Sequence, residues 1–140
     1  MRFSKVAQPS TQVAFDRPDQ LQQIQSGLLQ GERLYAVYDA KGTGTGFIGL
    51  TDRRVIIQDK SFVGRKVALV SLPYSRISSV AVLSDKSLMG QFFGSSSIGI
   101  TSTDGKYHEV DFRGTEKARH VHDMVLWHIT QSPAAQPGPR

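Results

Sequence analysis

The chain has 140 residues, of which 39% are hydrophobic and 21% are charged, and this suits one globular domain with a single core. It has no cysteine, which excludes disulfide frameworks, zinc–thiolate sites and thiol catalysis, and a reducing cytoplasmic location is the default expectation. The formal net charge of +5 favours anionic partners in general, but no Lys/Arg block typical of a nucleic-acid-binding tail is present.

The two ends of the chain are polar and are expected to add little to a core. Residues 1–15 lack the apolar segment of a signal peptide, and no run in the chain reaches the length of a membrane-spanning helix. Residues 132–140 contain three prolines and one glycine. We therefore predict a flexible N-terminal segment over 1–15, one domain over 16–131 and a disordered tail over 132–140.

A short helix is predicted at the start of the domain, over residues 16–30. Asp16 is a suitable N-cap, and Pro18 suits the first turn of a helix. Apolar residues then recur at helical spacing from Leu21 to Leu28, and Gly31 stops the pattern.

Seven short runs rich in β-branched and aromatic residues follow, with glycine, aspartate or proline between them. They are predicted as strands over residues 33–38, 47–50, 55–58, 67–72, 77–83, 98–101 and 107–112. Asp104 and Gly105 are expected to supply the positive φ values of a type I′ turn. The last two predicted strands therefore have the clearest hairpin signal in the chain. Apolar and polar residues alternate in the last strand, so one of its faces is expected to meet solvent.

One amphipathic helix is predicted after the strands, over residues 115–130. Its apolar arc contains Val121, Val125, Leu126 and Ile129, and its opposite side contains Glu116, His120, Asp123 and Trp127. No other helix follows the strands to make parallel crossovers, so an antiparallel barrel or sandwich sealed by the apolar arc is expected. Trp127 is expected to make a second buried contact, with the N-terminal helix or with another subunit.

Four short strings match a known family through their order and spacing. They are GFIGLTDRRVII at 46–57, LPYSRISSV at 72–80, a Gly-Lys hairpin at 105–106, and Glu116-Lys117-Ala118 at the start of the last helix. Over residues 31–130 the chain resembles the bacterial pleckstrin-homology-like (PH-like) domains, which are relatives of the eukaryotic PH and GRAM domains.

The resemblance implies a mainly β fold, with a barrel over 31–113. This is a PH-like barrel of seven antiparallel strands in two near-orthogonal sheets, capped by one C-terminal α-helix and here preceded by a short N-terminal helix. It also implies binding rather than catalysis. Some bacterial members assemble into rings, which would give Trp127 a partner surface.

Two patterns that could signal catalysis are better explained by structure. Residues 44–49 match G-x-G-x-x-G, but a dinucleotide site needs a helix to begin there, and a strand is predicted instead. Glu109 and Asp111 share one strand face without a cleft around them, which favours a solvated face. We predict no catalytic residue and no cofactor. The alternative from a different functional class is an enzyme that binds a nucleotide at residues 44–49.

The histidines are not expected to bind a metal. His120 and His122 form an H-x-H pair, but on a helix their imidazoles point to opposite sides. His108 and His122 are expected to be half-buried and hydrogen-bonded.

Five basic residues are candidates for binding an anion or a lipid, because they lie in the three loops that surround the phosphoinositide headgroup in lipid-specific PH domains. They are Lys41, Lys60, Arg65, Lys66 and Lys106. The basic cluster at the start of the second strand of that subfamily is missing, since Phe47, Ile48 and Gly49 stand there. This favours weak attraction to anionic surfaces over specific headgroup binding.

The connection over residues 84–95 carries four large apolar side chains, Leu88, Met89, Phe92 and Phe93. They either fold back over the end of the barrel or form an exposed patch for a protein partner or a membrane interface. Together with Trp127 they are the candidate interface residues.

The sequence thus predicts a cytoplasmic, non-catalytic PH-like module that binds or scaffolds through protein contacts, with self-association as one mode. The alternative is a module peripheral to an anionic membrane, which would use the basic loops together with Phe92 and Phe93. No specific nucleic acid and no small-molecule substrate are expected.

Overall fold

The computed structural model describes residues 12–42, 44–61, 66–83 and 95–131. Its elements in chain order are β1 (Ala14–Phe15), α1 (Pro18–Gln25), β2 (Leu34–Asp39), β3 (Thr45–Thr51), β4 (Arg54–Asp59), β5 (Ala68–Pro73), a 3₁₀ turn (Tyr74–Arg76), β6 (Ile77–Leu83), β7 (Ser95–Ser102), β8 (Tyr107–Arg113) and α2 (Glu116–Gln131). The seven predicted strands correspond to β2 through β8, and the mainly β, PH-like fold class is confirmed.

The strands form two sheets. One has five strands in the order β1-β2-β3-β4-β5, and the other has three strands in the order β6-β7-β8. The neighbours from β2 to β5 and from β6 to β8 are antiparallel, as predicted. The turn between β7 and β8 is not the predicted type I′ turn, because Gly105 has a positive φ and Asp104 does not. The chain passes between the sheets through the 3₁₀ turn, where the buried Tyr74 hydroxyl donates to the Thr51 carbonyl at 2.7 Å. This bond fixes the corner of the barrel.

The main core lies between the two sheets and under α2. Side chains such as Ile48, Leu50 and Phe112 pack there against Val121 and Val125, all of them fully buried. Within the described part of the chain, neither helix has the length and apolarity needed to cross a membrane.

The apolar arc predicted for α2 is correct at Val121 and Val125 and wrong at Leu126, which is 41% exposed. Ala118 is fully buried, and the buried stripe is centred on Ala118, Val121 and Val125. Leu126 lies about 80° around the helix from Ala118, beyond the edge of that stripe.

A second core cluster lies on the outer face of the five-stranded sheet, under α1. Ile24 of α1 is 1% exposed and packs with Leu34, Val37, Phe47 and Ile56 of the sheet. Gly49 permits this close approach, because a Cβ there would lie 3.0 Å from Cδ1 of Ile24. The five-stranded sheet is therefore covered by apolar contacts on both faces.

The start of α1 differs from the prediction. Arg17 is its N-cap and makes no side-chain cap bond. Asp16 instead accepts hydrogen bonds from the Asp39 N–H and the Lys117 ammonium, each at 2.9 Å. The preceding strand β1 pairs in parallel with β2 and was not predicted, because a two-residue strand has no sequence periodicity.

The end of α1 is also earlier than predicted, at Gln25 rather than residue 30. The following loop is held by the buried carboxylate of Glu32, which accepts the Leu29 N–H at 2.9 Å. Glu32 also accepts from Thr51 Oγ1 at 2.6 Å and from Arg54 Nε and Nη2 at 2.8 and 2.9 Å. The hydrogen bonds from Arg54 above all, with those from Leu29 and Thr51, hold the pKa of Glu32 at about 2, against the usual 4.5.

Candidate functional site

The loops that carry the predicted basic residues meet at one end of the barrel. The Lys60 N–H donates to the Gly44 carbonyl at 2.7 Å, and the Lys41 N–H donates to the Asp111 carbonyl at 2.8 Å. These bonds join the β4–β5 and β2–β3 loops to each other and to β8. Lys106, in the β7–β8 turn, lines a recess together with Asp59 at the end of β4.

The candidate residues at this end differ in how far the structure describes them. Lys60, Lys66 and Lys106 are exposed and Lys41 is half-buried. Arg65 lies outside the described residues, and so do Leu88, Met89, Phe92 and Phe93. Anion binding by the basic loops and an interface in the 84–95 connection stay predictions.

The recess beside Lys106 has a volume of about 340 Å³ and a mixed lining. Hydrogen bonds from Ser61 hold the pKa of Asp59 below its usual value, and the nearby His108 and Lys106 act in the same direction. A hydrogen bond from the Ser102 hydroxyl lowers the pKa of Asp104 in the same way. Both carboxylates therefore stay ionised at neutral pH and offset the cations of this recess.

The histidines occupy separate environments. The His120 Nδ1 lies 2.6 Å from the Tyr38 hydroxyl, and the His122 Nδ1 lies 2.9 Å from a carboxylate oxygen of Asp123, so the pair does point apart. His108 is half-buried, but its Nε2 is enclosed and has no partner among the described residues, contrary to the prediction. His108 alternates along β8 with the exposed Tyr107 and Glu109, and it lines the recess beside Lys106. Within the described ranges no cluster of acidic residues and histidines could hold a metal ion.

The glycine-rich string lies in a strand, as predicted. β3 begins at Thr45, so no helix N-terminus is available to a dinucleotide at this point. Packing explains why position 46 is a glycine, because a Cβ there would lie 1.8 Å from Oε1 of Gln58. The missing side chain leaves room for the amide of Gln58 to lie against β3.

A second recess, which we call the polar recess, lies on the outer face of the five-stranded sheet between α1 and the β2–β3 loop. Its volume is about 320 Å³. Its charged lining consists of Arg17, Lys60, Arg113, Asp19 and Asp39. Sequence reasoning identified only Lys60 among these, because the others come together only when α1 packs on the sheet.

The outer face of α2, defined here by Leu126 and Trp127, is a third surface feature. Trp127 is 59% exposed, so neither α1 nor any other described element buries it. Its ring meets His128 edge-on with centroids 4.9 Å apart, and His128 stacks on Tyr74 at 4.3 Å. Tyr35 approaches His128 from a β-bulge in β2, at 5.7 Å between ring centroids. Packed aromatic rings thus support the end of α2 that carries the exposed indole.

Comparison with solved structures gives the same fold. The chain is similar to a pleckstrin homology domain from Shewanella amazonensis SB2B, with a TM-score of 0.61 and 19% identity over 81% of this chain and 98% of that chain. It is also similar to a DUF1696 family protein with a pleckstrin-homology domain from Shewanella loihica PV-4, with a TM-score of 0.57 and 18% identity over 83% and 96% of the two chains. A PH domain containing protein from Exiguobacterium sibiricum 255-15 matches with a TM-score of 0.56 and 19% identity over 83% of this chain and 62% of that chain.

The family model described as "Bacterial PH domain" matches residues 30–126, which is more than half of the chain. No curated protein matches the sequence significantly. The matched span begins after α1 and ends within α2, so it contains the barrel and most of its capping helix. From its strand order, its capping helix and this match, the chain belongs to the bacterial PH domain family.

Proposed function

We propose that this chain is a non-catalytic binding or scaffolding module that acts through protein contacts at the outer face of α2, with a second copy of the chain as the partner. The observation that carries this proposal is the exposure of two adjacent apolar side chains, Leu126 at 41% and Trp127 at 59%. Buried aromatic anchors, tryptophan above all, contribute disproportionately to protein interfaces.

The support beneath this surface favours a preformed interface. Val121 and Val125 fix the opposite side of α2 in the core, and the ring stack of His128 on Tyr74 fixes its C-terminal end. A rigid anchor loses little conformational freedom when it binds, so more of the contact energy appears as affinity.

The charges beside the anchor suit a symmetric contact. Arg119 and Asp123 are both exposed on the outward side of α2. In a two-fold dimer with antiparallel helices, each arginine would approach the acidic side chain of the other copy. In that register the two-fold axis lies near residue 121, so the charges of the two copies are complementary at the centre of the contact and each indole faces the first turn of the partner's helix.

The test is light scattering coupled to size-exclusion chromatography over a range of protein concentrations. We expect the parent chain to form a discrete oligomer, and Trp127→Ala to weaken assembly more than tenfold, since such anchors contribute ~2 kcal/mol or more. Leu69→Ala is the matched control, because Leu69 is 47% exposed on β5, away from α2. A parent chain that remains monomeric at millimolar concentration contradicts the proposal.

A second candidate function is attachment to an anionic membrane through the basic loops. It is favoured by the convergence of the loops of Lys41, Lys60 and Lys106 at one end of the barrel. The test is sedimentation with anionic liposomes at low and high salt. Salt-sensitive binding that needs Phe92 and Phe93 would support this candidate, and salt-independent or absent binding would reject it.

A further inference from the structure

We propose that the free edge of β5 binds an extended peptide segment of a partner protein, which pairs with β5 and adds a strand to the five-stranded sheet. The segment runs antiparallel to β5, carries apolar side chains and has one acidic residue at the end that faces Arg76. Its site is the recess beside Lys106, and none of the described residues that line this recess belongs to α2. The proposal therefore does not depend on self-association through the outer face of α2.

β5 has a neighbouring strand on one side only. It pairs with β4 and stands last in the strand order of the five-stranded sheet. The Tyr74 N–H donates to the Arg53 carbonyl at 3.3 Å, in register with the β4–β5 ladder. In an antiparallel ladder the backbone groups of alternate residues point to the same neighbour. Leu69, Ser71 and Pro73 therefore turn their backbone groups away from β4, to the free edge.

This edge is open in the described part of the chain. Outside the β4–β5 ladder, no backbone hydrogen bond between described residues involves Leu69, Ser71 or Pro73. Pro73 has no N–H, so the edge offers donors and acceptors at Leu69 and Ser71 and one further acceptor at Pro73. A row of such groups is a template for another strand, and from Leu69 to Pro73 it is about 13 Å long, which matches about five residues.

The recess beside Lys106 lies along this edge. It has a volume of about 340 Å³, and four consecutive residues of β5 line it, namely Val70, Ser71, Leu72 and Pro73. Successive side chains of a strand point to opposite faces, so a recess against one face would contact alternate residues only. The consecutive lining therefore places the recess beside the backbone of β5. The opposite wall belongs to the β7–β8 hairpin and consists of Ser102, Thr103, Asp104, Lys106 and His108.

The two faces of β5 favour apolar side chains in the bound segment. Residues of the segment opposite Val70 and Leu72 turn their side chains to the inner face of the sheet, where both of these residues pack against the main core. On the outer face, Leu69 is 47% exposed and offers an apolar neighbour to the residue opposite it. Apolar side chains at alternate positions of the segment therefore gain contacts with β5 in addition to backbone hydrogen bonds.

The charges of the recess favour one acidic residue rather than an acidic run. The lining has two carboxylates, each of which accepts a hydrogen bond from a nearby serine hydroxyl, and two cations, Arg76 and Lys106. Neither cation forms an ion pair within the described ranges, and both are exposed. Arg76 follows Pro73 in the 3₁₀ turn. In an antiparallel segment the residue opposite Pro73 is the N-terminal one, so an acidic side chain there meets Arg76.

The experiment is a titration of the full ¹⁵N-labelled chain with the peptide acetyl-Asp-Val-Thr-Val-Ile-amide, whose aspartate is set opposite Pro73. In ¹H–¹⁵N spectra we expect saturable shifts at Leu69 and Ser71, with a dissociation constant below about 1 mM. Hydrogen exchange at these two amides should slow on binding, because the peptide carbonyls then accept their N–H groups.

Methylated peptides separate backbone pairing from side-chain contact. Methyl groups on the nitrogens of the third and fifth residues remove the N–H groups that face β5, and should weaken binding at least about tenfold. The matched peptide is methylated on the second and fourth residues, whose N–H groups point away from β5. It should bind within about threefold of the unmethylated peptide.

Variants of the chain place the binding at this edge. Ser71→Pro removes an N–H that faces the edge and should weaken binding at least about fivefold. Ser71→Ala is the matched control, because it keeps the N–H and removes only the hydroxyl, and it should change the affinity less than about twofold. Arg76→Gln should abolish the preference for aspartate over asparagine at the first residue of the peptide. If Ser71→Pro does not fold, the methylated peptides and Arg76→Gln provide the test.

Several results would contradict the proposal. No saturable shift, equal binding of the two methylated peptides, or an Arg76→Gln variant that still prefers aspartate would each overturn it. Protection of the Leu69 and Ser71 amides that rises with protein concentration, without any peptide, would show that a second copy of the chain occupies the edge, and would overturn it as well.

Discussion

Glu32 illustrates how one carboxylate can fasten a loop to a sheet. Its side chain is fully buried, and its partners Leu29, Thr51 and Arg54 come from the preceding loop, from β3 and from β4. Arg54 extends the contact by donating to the Gly27 carbonyl and to the Ser71 hydroxyl. The chain between α1 and β2 is therefore held by charge-assisted hydrogen bonds rather than by apolar packing alone.

We expect Glu32→Gln to lower the free energy of unfolding by about 3 kcal/mol at pH 7, because it leaves Arg54 partly buried without its counter-charge. The folded-state pKa of Glu32 lies below its unfolded value, so this stabilisation is complete above about pH 4.5. It is lost as the pH falls from there towards 2. Urea unfolding at pH 7, 5 and 3.5 should show the difference between parent and variant shrinking at the lowest pH.

The matched control for this prediction is Asp19→Asn, which removes a solvent-exposed ion pair with Arg17. Exposed pairs contribute little, so this change should alter stability by less than about 1 kcal/mol at pH 7. A Glu32→Gln variant as stable as Asp19→Asn at pH 7 would contradict the role given to Glu32.

Tyr38 supports a second prediction. It is 9% exposed, and its hydroxyl lies 2.6 Å from His120 Nδ1. Burial raises the pKa of Tyr38, so the phenol stays neutral, and it donates or accepts this bond according to the tautomer of His120. Tyr38→Phe should cost about 1 kcal/mol in urea unfolding. Tyr35→Phe, at a half-buried tyrosine of the same strand, should cost less, and equal effects would count against the Tyr38–His120 bond.

Individual polar contacts of this kind could not be read from the sequence. Gln20 meets Asp39 across 19 residues, and Glu32 meets Arg54 across 22 residues. A local sequence pattern indicates contacts between residues that are a few positions apart. The identity of a glutamine or a glutamate does not indicate which distant residue it will contact. The polar recess was missed for this reason, although Lys60 at its rim was selected.

The capping helix was predictable as an element because its periodicity is long. The predicted span of 115–130 agrees with Glu116–Gln131, and the predicted core positions Val121 and Val125 are buried. The prediction failed at Leu126, where hydrophobicity alone does not reveal the edge of the buried stripe. The prediction also missed β1 and placed the end of α1 too late, because the limits of these elements depend on contacts with β2 and with Glu32.

Val125 and Leu126 make a matched pair for testing this helix phase. Val125→Asp would bury an unpaired carboxylate in the core and should cost several kcal/mol or prevent folding. Leu126→Asp changes an exposed position and, at concentrations where the chain is monomeric, should cost no more than about 1 kcal/mol. Thermal unfolding followed by circular dichroism measures both, and similar melting temperatures for the two variants would show that the helix phase is wrong.

At the scale of the whole molecule, the described residues form a barrel and an N-terminal segment that covers one of its faces. The family match begins at residue 30, whereas α1 lies at Pro18–Gln25. Ile24 of this segment buries the outward side chains of Val37, Phe47 and Ile56. Among the described residues, this segment is what shields the apolar outer face of the five-stranded sheet.

Deletion of residues 1–29 should expose that apolar face and make the barrel prone to aggregation. We expect a large loss of soluble protein and increased binding of a hydrophobic dye. Adding Val37→Thr, Phe47→Thr and Ile56→Thr to the shortened chain should reduce the dye binding. A shortened chain that stays soluble and binds no dye would contradict the covering role of α1.

The contact between Ile24 and Gly49 has a consequence for the evolution of this chain. Once the outward positions of β2, β3 and β4 hold large apolar side chains, losing the N-terminal segment alone is penalised, whatever function the segment has. The segment could be lost without this penalty only after several of the apolar residues beneath it had been replaced by polar residues. Relatives that lack the segment should therefore carry polar residues at the positions of Val37, Phe47 and Ile56, and a bulkier residue than glycine should be tolerated at position 49.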